Sequence, residues 1–252
     1  TNPFESDGFA PIDDSRDIQN FDARRSSANT MDLRGGIVRI KVEEDGSYTI
    51  PEGNLFTDPE VGRPEIYAMG MRNPFRIHVD QRNGNVYWGD VGPDAGKDSI
   101  GMGPRGHDEV NVAREAGFFG WPLFVGDNKA YHARDFKAGV FGEAFDPAKP
   151  INNSAYNTGA QELPPAQPAM IYYPYAESPE FPLLGTGGRN AMAGPVFYRD
   201  DFNDSDFRFP EYYDGKFFFY DWMRDHIMAA DLDETGYVTE FERFLPNQDL
   251  RH

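Results

Sequence analysis

The sequence predicts an all-β protein on three observations. Gly (26) and Pro (20) are frequent among the 252 residues, and runs of good helix formers are few. Phe (21) and Tyr (13) are abundant, and aromatic side chains suit a pleated, half-buried surface. A weak internal repeat of strand, acidic or polar turn with Gly, and strand recurs at 38–48, 77–87 and 228–238. Small antiparallel units recurring along a chain point to a β-propeller. At the usual four strands per blade, the strand groups make about three to four blades. These strand groups reach across the whole chain, 1–252.

Taken in order, residues 1–34 are polar and rich in Asp, Ser, Asn and Arg, the composition of a loop or a mobile terminus. Residues 36–42 are the first strand, with Ile37 alternating against Arg39 and Lys41, and Asp45-Gly46 turns it into 47–50. A Pro- and Gly-punctuated loop covers 51–64. Three short strands follow at 65–69, 75–80 and 85–89. Asn83-Gly84 predicts a two-residue hairpin turn, because such turns need positive φ. Residues 94–107 are Gly-rich and aperiodic. Strands are expected at 108–113 and 117–122, and 128–168 is a long, weakly patterned insertion loop. Strand character resumes at 169–173. A Gly-rich loop over 184–194 leads into 195–198, and 216–220 is an unbroken apolar strand. A loop at 221–224 precedes a final hairpin, 227–232 with 237–244.

The net charge of -18 argues against a nucleic-acid partner, which would select a basic face. It reads as a solvated acidic surface rather than a cation site. The absence of Cys removes disulfides, thiolate chemistry and Cys-based zinc. No apolar run approaches membrane-spanning length, and Thr1 does not open a signal peptide.

The polar residues that do not fit strands gather in two loops. Arg72-Asn73-Pro74 and Asp90-Val91-Gly92-Pro93 lie at one end of the small sheet, where sites are usually carried. Arg72 offers a planar fork for a carboxylate, or it pairs with a nearby Asp; Asn73 offers donor and acceptor, or it starts a turn. Carbonyls at Gly92 and Pro93 are hard ligands of the kind calcium takes, or they belong to a simple turn. Asp108 and Glu109 are neighbours on a strand and face opposite sides, so they form no acid–base pair and read as structural. Thr186, Arg189 and Asn190 occupy the Gly-rich loop without the strand–loop–helix context of a phosphate site. The five histidines, His78, His107, His132, His226 and His252, show no metal spacing. Trp121, Trp222 and several tyrosines could stack on sugars, although core packing explains most of them.

The order Gly70-Met71-Arg72-Asn73-Pro74, hairpin, Gly89-Asp90-Val91-Gly92-Pro93, Asp108-Glu109-Val110-Asn111, Gly120-Trp121-Pro122 resembles the glucose/sorbosone dehydrogenase family. These are the aldose dehydrogenases that use pyrroloquinoline quinone. The resemblance implies a six-bladed propeller of which 1–252, at about three to four blades, is only a part, an open arc whose sheet faces need neighbours to cover them, with 1–34 as an inter-blade loop. It implies quinone contacts at Arg72, Asn73, Val91, Thr186 and Arg224, and calcium on the Gly92 and Pro93 carbonyls. Val91 stands where the family often has Gln, and Met223 where it has Lys. The resemblance further implies oxidation of an aldose or oligosaccharide at its anomeric hydroxyl, a cytochrome-type electron acceptor, and a periplasmic or extracellular setting. The family's general-base His falls upstream of the loop that 1–34 resembles, so no catalytic residue is assigned in this chain, and the remaining blades are expected partners. A non-catalytic carbohydrate- or protein-binding propeller is the competing reading, and a calcium-dependent structural module is a third.

Overall fold

The computed structural model describes residues 12–246. Its chain divides into two compact units. The first comprises 12–73, Gly92–His107 and Glu115–Ala169; the second comprises Pro74–Val91, Asp108–Arg114 and 170–246. The described residues form short strands and 3-10 turns, with no α-helix.

In chain order the strands are β1 (Gly36–Val38), β2 (Lys41–Val42), β3 (Tyr48–Thr49), β4 (Ile66–Met69), β5 (Pro74–Val79) and β6 (Val86–Asp90). Next come β7 (Asp108–Ala113), β8 (Gly117–Phe118), β9 (Phe124–Val125), β10 (Lys129–Ala130), β11 (His132–Asp135) and β12 (Val140–Ala144). The last are β13 (Ile171–Tyr173), β14 (Ala191–Val196), β15 (Phe217–Asp221), β16 (His226–Leu232) and β17 (Val238–Phe244).

The second unit holds two four-stranded antiparallel sheets, ordered β13-β7-β6-β5 and β14-β15-β16-β17. The latter is a meander in which β15–β16 and β16–β17 are joined by short turns, while residues 197–216, with two 3-10 turns, connect β14 to β15. Its core is aliphatic and aromatic: Tyr87, Ile171, Phe217, Phe219 and Met228 are fully buried, and Tyr87 stacks on Phe217 at 4.6 Å. Gly89 is required there, because a Cβ would lie 2.2 Å from the Ala191 carbonyl oxygen.

The first unit has much less sheet. β1-β4-β8 is three-stranded, with β4 and β8 parallel, and β2-β3, β9-β10 and β11-β12 are separate hairpins. A small core of Ile66, Met69, Phe118, Leu123 and Phe124 is supplemented by buried polar side chains. Asp22 accepts from the Arg24 backbone N–H (3.1 Å), from its Nε (2.9 Å) and from the Ser154 hydroxyl. Arg24 also donates to the Ile12 carbonyl (3.0 Å) and to Asn153 (3.1 Å). Asn152 donates to the carbonyls of Arg24 and Ala28, both at 2.8 Å. The loop before β1 and the segment after β12 are thus laced together by side chains. Of the loop expected over 1–34, residues 1–11 lie outside the described residues.

The structure corrects four local expectations. The strand expected over 36–42 breaks at Arg39-Ile40, because Arg39 turns its N–H to the Glu65 carbonyl and its guanidinium to Asn54. The Asn83-Gly84 turn is longer than two residues. Gly84 donates to the Asp80 carbonyl (2.8 Å), Asp80 donates to that of Asn85 (2.9 Å), and Gly84 rather than Asn83 takes the left-handed φ of 81°. β14 begins at Ala191, inside the expected Gly-rich loop, because the Ala191 N–H finds Asp108 (3.0 Å) and a partner strand follows. Residues 128–168 are not one structureless loop; they contain β10, β11 and β12.

The sequence repeat has a common turn chemistry. Glu43, Asp80 and Asp233 each donate a backbone N–H to the residue after the Gly and accept the N–H of Gly46, Gly84 and Gly236 respectively. An Asp carboxylate reinforces each turn: Asp45 on Ser47 (2.9 Å), Asp80 on Arg82 (2.9 Å) and Asp233 on Thr235 (2.8 Å).

Candidate cofactor site

In the first unit the Arg72 segment leaves β4 through Gly70, whose φ is 85° and whose missing side chain makes room for the Phe118 ring. Gly70 donates to the Ser27 carbonyl (2.9 Å), and Met71 to that of Gly35 (3.0 Å). The Trp121 N–H donates to the Gly70 carbonyl (2.9 Å). This pinned turn presents Arg72 and Asn73 to solvent, with the Arg72 guanidinium 5.9 Å from the buried Trp121 ring. The Gly70-Met71-Arg72-Asn73 and Gly120-Trp121 motifs of the sequence therefore belong to one structural element.

Gly92 and Pro93 are buried in the same unit. A Cβ on Gly92 would lie 1.7 Å from the His107 carbonyl oxygen, so only glycine allows that approach. The far side of the loop is fixed by His107 Nδ1 at 2.9 Å from the Arg105 carbonyl and by Gly106 donating to Ala95 (2.8 Å). Arg105 in turn pairs with Asp98 (2.8 Å), and its hydrogen bonds hold that carboxyl down to about 2. The oxygen donors at Gly92-Pro93 are main-chain carbonyls, which suit a hard cation such as calcium. Among the described residues no group of three His, Asp or Glu side chains gathers to hold a metal.

In the second unit the polar residues collect at one end of the two sheets. Asp108 opens β7, Tyr173 closes β13, Asp221 closes β15 and His226 opens β16. The ladders pair Tyr173 with Asp108 and Asp221 with both Ala191 and His226. Asp221 is buried and fully engaged: Tyr173 Oη donates at 2.6 Å, the Asn190 N–H at 2.9 Å and the Arg224 N–H at 2.8 Å. Burial, followed by the charge of Asp221, drives the Tyr173 phenol far up. Asp108 takes the Ala191 N–H and lies 3.6 Å from Arg189 Nε, and the Arg189 guanidinium packs over Tyr175 at 4.0 Å. Glu109 instead accepts from Asn111 (3.1 Å), as the two-residue period of a strand requires.

Arg224 has a different geometry from Arg72. Its Nε donates to Gly188 (2.9 Å), Nη1 to Leu184 (3.0 Å) and Gly185 (2.9 Å), and Nη2 to Pro174 (2.5 Å) and Gly187 (3.4 Å). All five guanidinium N–H donors end on backbone carbonyls, and burial lowers the group's pKa despite its acidic neighbours. The side chain clamps the 184–188 loop that carries Thr186, and Thr186 itself is exposed. Met223 lies against Gly188, and Trp222 at the loop tip is 59% exposed. Val91 is half-buried at the end of β6.

Arg224 thus spends its guanidinium on its own loop, whereas Arg72 stands on the exposed side of its turn. The clamp was not legible in the sequence, because its acceptors are carbonyls that any residue type could supply. The bond between Tyr173 and Asp221 joins residues 48 positions apart, and nothing local in the sequence marks it. His226 is 5% exposed with both ring nitrogens unpartnered among the described residues, and burial depresses its pKa to about 4.

The family model described as Glucose / Sorbosone dehydrogenase matches residues 13–181, a span that includes Arg72, Asn73, Val91, Gly92 and Pro93 and stops short of Thr186 and Arg224. The chain is 26% identical over 187 residues to the HIPL1 protein of Arabidopsis thaliana, covering 69% of this chain and 22% of that relative. It is 31% identical over 101 residues to the aldose sugar dehydrogenase YliI of Escherichia coli K12, covering 40% of this chain and 23% of the relative. The soluble aldose sugar dehydrogenase of Escherichia coli, solved in its apo-form, is 20% identical with a TM-score of 0.48, covering 87% of this chain and 47% of that one. The PQQ-bound aldose sugar dehydrogenase of Streptomyces coelicolor is 16% identical with a TM-score of 0.43, covering 87% and 41%. The chain thus spans less than a quarter of the length of these two curated relatives. Because the family match takes in well over half of its residues, the chain belongs to the glucose/sorbosone dehydrogenase family.

Proposed function

We infer that this chain is the part of a quinoprotein sugar dehydrogenase propeller that holds one side of the cofactor. The observation that carries the reading is that the family match spans both the solvent-facing Arg72-Asn73 turn and the pinned Gly92-Pro93 loop. On this reading the two four-stranded sheets are blades. When bound, pyrroloquinoline quinone would accept hydride from an aldose, with calcium polarising the quinone. Arg72 would pair with a cofactor carboxylate through its guanidinium fork, and Asn73 would hydrogen-bond beside it. Val91 would supply only an apolar wall, and Thr186 one hydroxyl. Arg224 would act by holding the Thr186 loop. The Gly92 and Pro93 carbonyls would hold the calcium.

No histidine here is assigned as the base that takes the sugar's proton. That task needs a pKa near neutrality, and His226 at about 4 is too weak. A periplasmic or extracellular setting and a cytochrome-type acceptor belong to the same proposal; among the described residues no helix is long and apolar enough to cross a membrane.

The engagement of all five Arg224 donors favours one other reading, a propeller that binds carbohydrate without catalysis. Titration of the chain with pyrroloquinoline quinone, with and without calcium, separates the two. Calcium-dependent binding that Arg72→Ala abolishes supports the cofactor role. A folded chain that binds no quinone under either condition refutes that role for this chain, and the same titration of the complete propeller then decides whether the binding module is preferred.

A further inference from the structure

We propose that the first unit carries a pocket for an uncharged saccharide, formed where the loop before β1 meets residues 155–158. The pocket encloses about 380 Å³, and its walls include Gln19, Arg25, Asn29, Asp32, Tyr156 and Thr158. None of the residues assigned above to quinone or calcium lines it.

The walls are fixed before any ligand arrives. Asn29 Nδ2 donates to the Arg25 carbonyl and to Thr158 Oγ1, both at 3.0 Å, and joins the two sides of the pocket. Tyr156 donates its N–H to Ser154 Oγ (3.0 Å), which is itself bonded to the buried Asp22. A site held by such bonds loses little freedom on binding.

The same walls keep hydrogen-bonding capacity unspent. Arg25 commits only Nε, to the Gln19 carbonyl at 2.7 Å, and among the described residues nothing takes its two Nη groups. Among the described residues the Tyr156 hydroxyl and the Gln19 amide have no protein partner, and Thr158 Oγ1 accepts from Asn29 while its own proton remains to donate. Asp32 supplies acceptors, although its oxygens already receive Arg34 (2.9 Å). Sugar hydroxyls donate and accept at once, and this mixture of donors, acceptors and a tyrosine ring answers them.

The local field selects an uncharged sugar over an acidic one. After burial, the negative charges of Asp17, Asp14, Asp22 and Asp13 push the Tyr156 phenol up. A carboxylate on the ligand would meet the same repulsion, and the Asp32–Arg34 pair leaves only Arg25 to offset it.

The test is saturation-transfer NMR and calorimetry on the whole chain, using glucose, maltotriose and glucuronate as probes. A neutral sugar should bind with Kd of about 1 mM, the scale of a few net hydrogen bonds. Arg25→Gln and Tyr156→Phe should each weaken binding about fivefold, the worth of one such bond. Tyr156→Phe removes one unpartnered oxygen and leaves the fold intact if Arg25→Gln disturbs it. The proposal is overturned if neither neutral sugar binds, if glucuronate binds better than glucose, or if Tyr156→Phe leaves sugar affinity unchanged. Quinone need not be present, so failure here is distinct from failure of the cofactor reading.

Discussion

The two units solve the same problem with different materials. The second is built from long paired strands, with β16 and β17 in register over five residue pairs before a shift at Asp231–Leu232, and Tyr87, Phe217 and Phe219 are buried in its core. The first has strands of two to five residues, and buried Asp22, Arg24 and Asn152 do what sheet does elsewhere. Where a chain has little sheet, its loop carbonyls and N–H groups still need partners, and polar side chains must supply them. The contrast teaches that the first unit depends on a few individual side chains, whereas the second spreads its stability over many apolar contacts.

The largest expected effect follows from breaking the side-chain network. Asp22→Ala removes one partner of a buried ion pair and leaves Asp14, at 3.3 Å, as the carboxylate facing Arg24 among the described residues. The loss should be about 3 kcal/mol, the low end for an orphaned buried charge because Asp14 partly compensates. Urea unfolding followed at the first unit's Trp121 should show it, and a change below about 1 kcal/mol would show that the network is not what holds the unit.

The second unit has its own single-residue dependence at Arg224. Arg224→Ala should cost about 2 kcal/mol, less than the sum of its bonds because the freed carbonyls gain water. Hydrogen exchange gives the sharper readout: the Gly187 and Asn190 amides should lose protection while the β15–β16 ladder keeps it. Unchanged protection at Gly187, whose N–H meets the Tyr175 carbonyl at 2.9 Å, would mean that the loop stands without its clamp.

The aromatic unit should also be the more sensitive to mild acid. His226 has a folded pKa of about 4 against an ordinary 6.5, lowered mainly by burial and also by Arg243 and Arg224, with Asp221 opposing. Its stabilising contribution is complete above the unfolded pKa and is lost as pH falls through 6.5 towards 4. The loss should be roughly 2 kcal/mol after discounting for partial solvent access. Between pH 6.5 and 5 the depressed carboxylates of Glu65 and Asp98, both at about 2, do not yet contribute. His78 shifts in the same direction, so the diagnostic is the difference between wild type and His226→Phe, which should flatten the profile. Parallel profiles would remove His226 as the cause.

Arg72→Ala should have the smallest effect on stability, below about 0.5 kcal/mol, because the side chain is exposed. Quinone affinity should fall at the same time. A large loss of stability would instead make Arg72 a structural partner of Trp121.

Much of this molecule was legible before folding. The all-β class, β7, the β16–β17 hairpin and the strand–turn–strand repeat follow from local rules, in which aromatic runs pair and Asp with Gly closes turns. The motif order from Gly70 to Pro122 carried the family, because each motif fits its own backbone turn. Gly70 and Gly92 occupy places where a side chain would meet the Phe118 ring or the His107 carbonyl. What only the tertiary structure decided is how polar groups far apart in sequence satisfy one another. Asp22 meets Ser154, Tyr173 meets Asp221, and Arg224 turns from a candidate ligand contact into the clamp of its own loop. No local pattern encodes those pairings. A charged side chain can face a ligand, the solvent or a cluster of carbonyls with the same sequence around it, and only the packing that removes water from one of these choices selects among them.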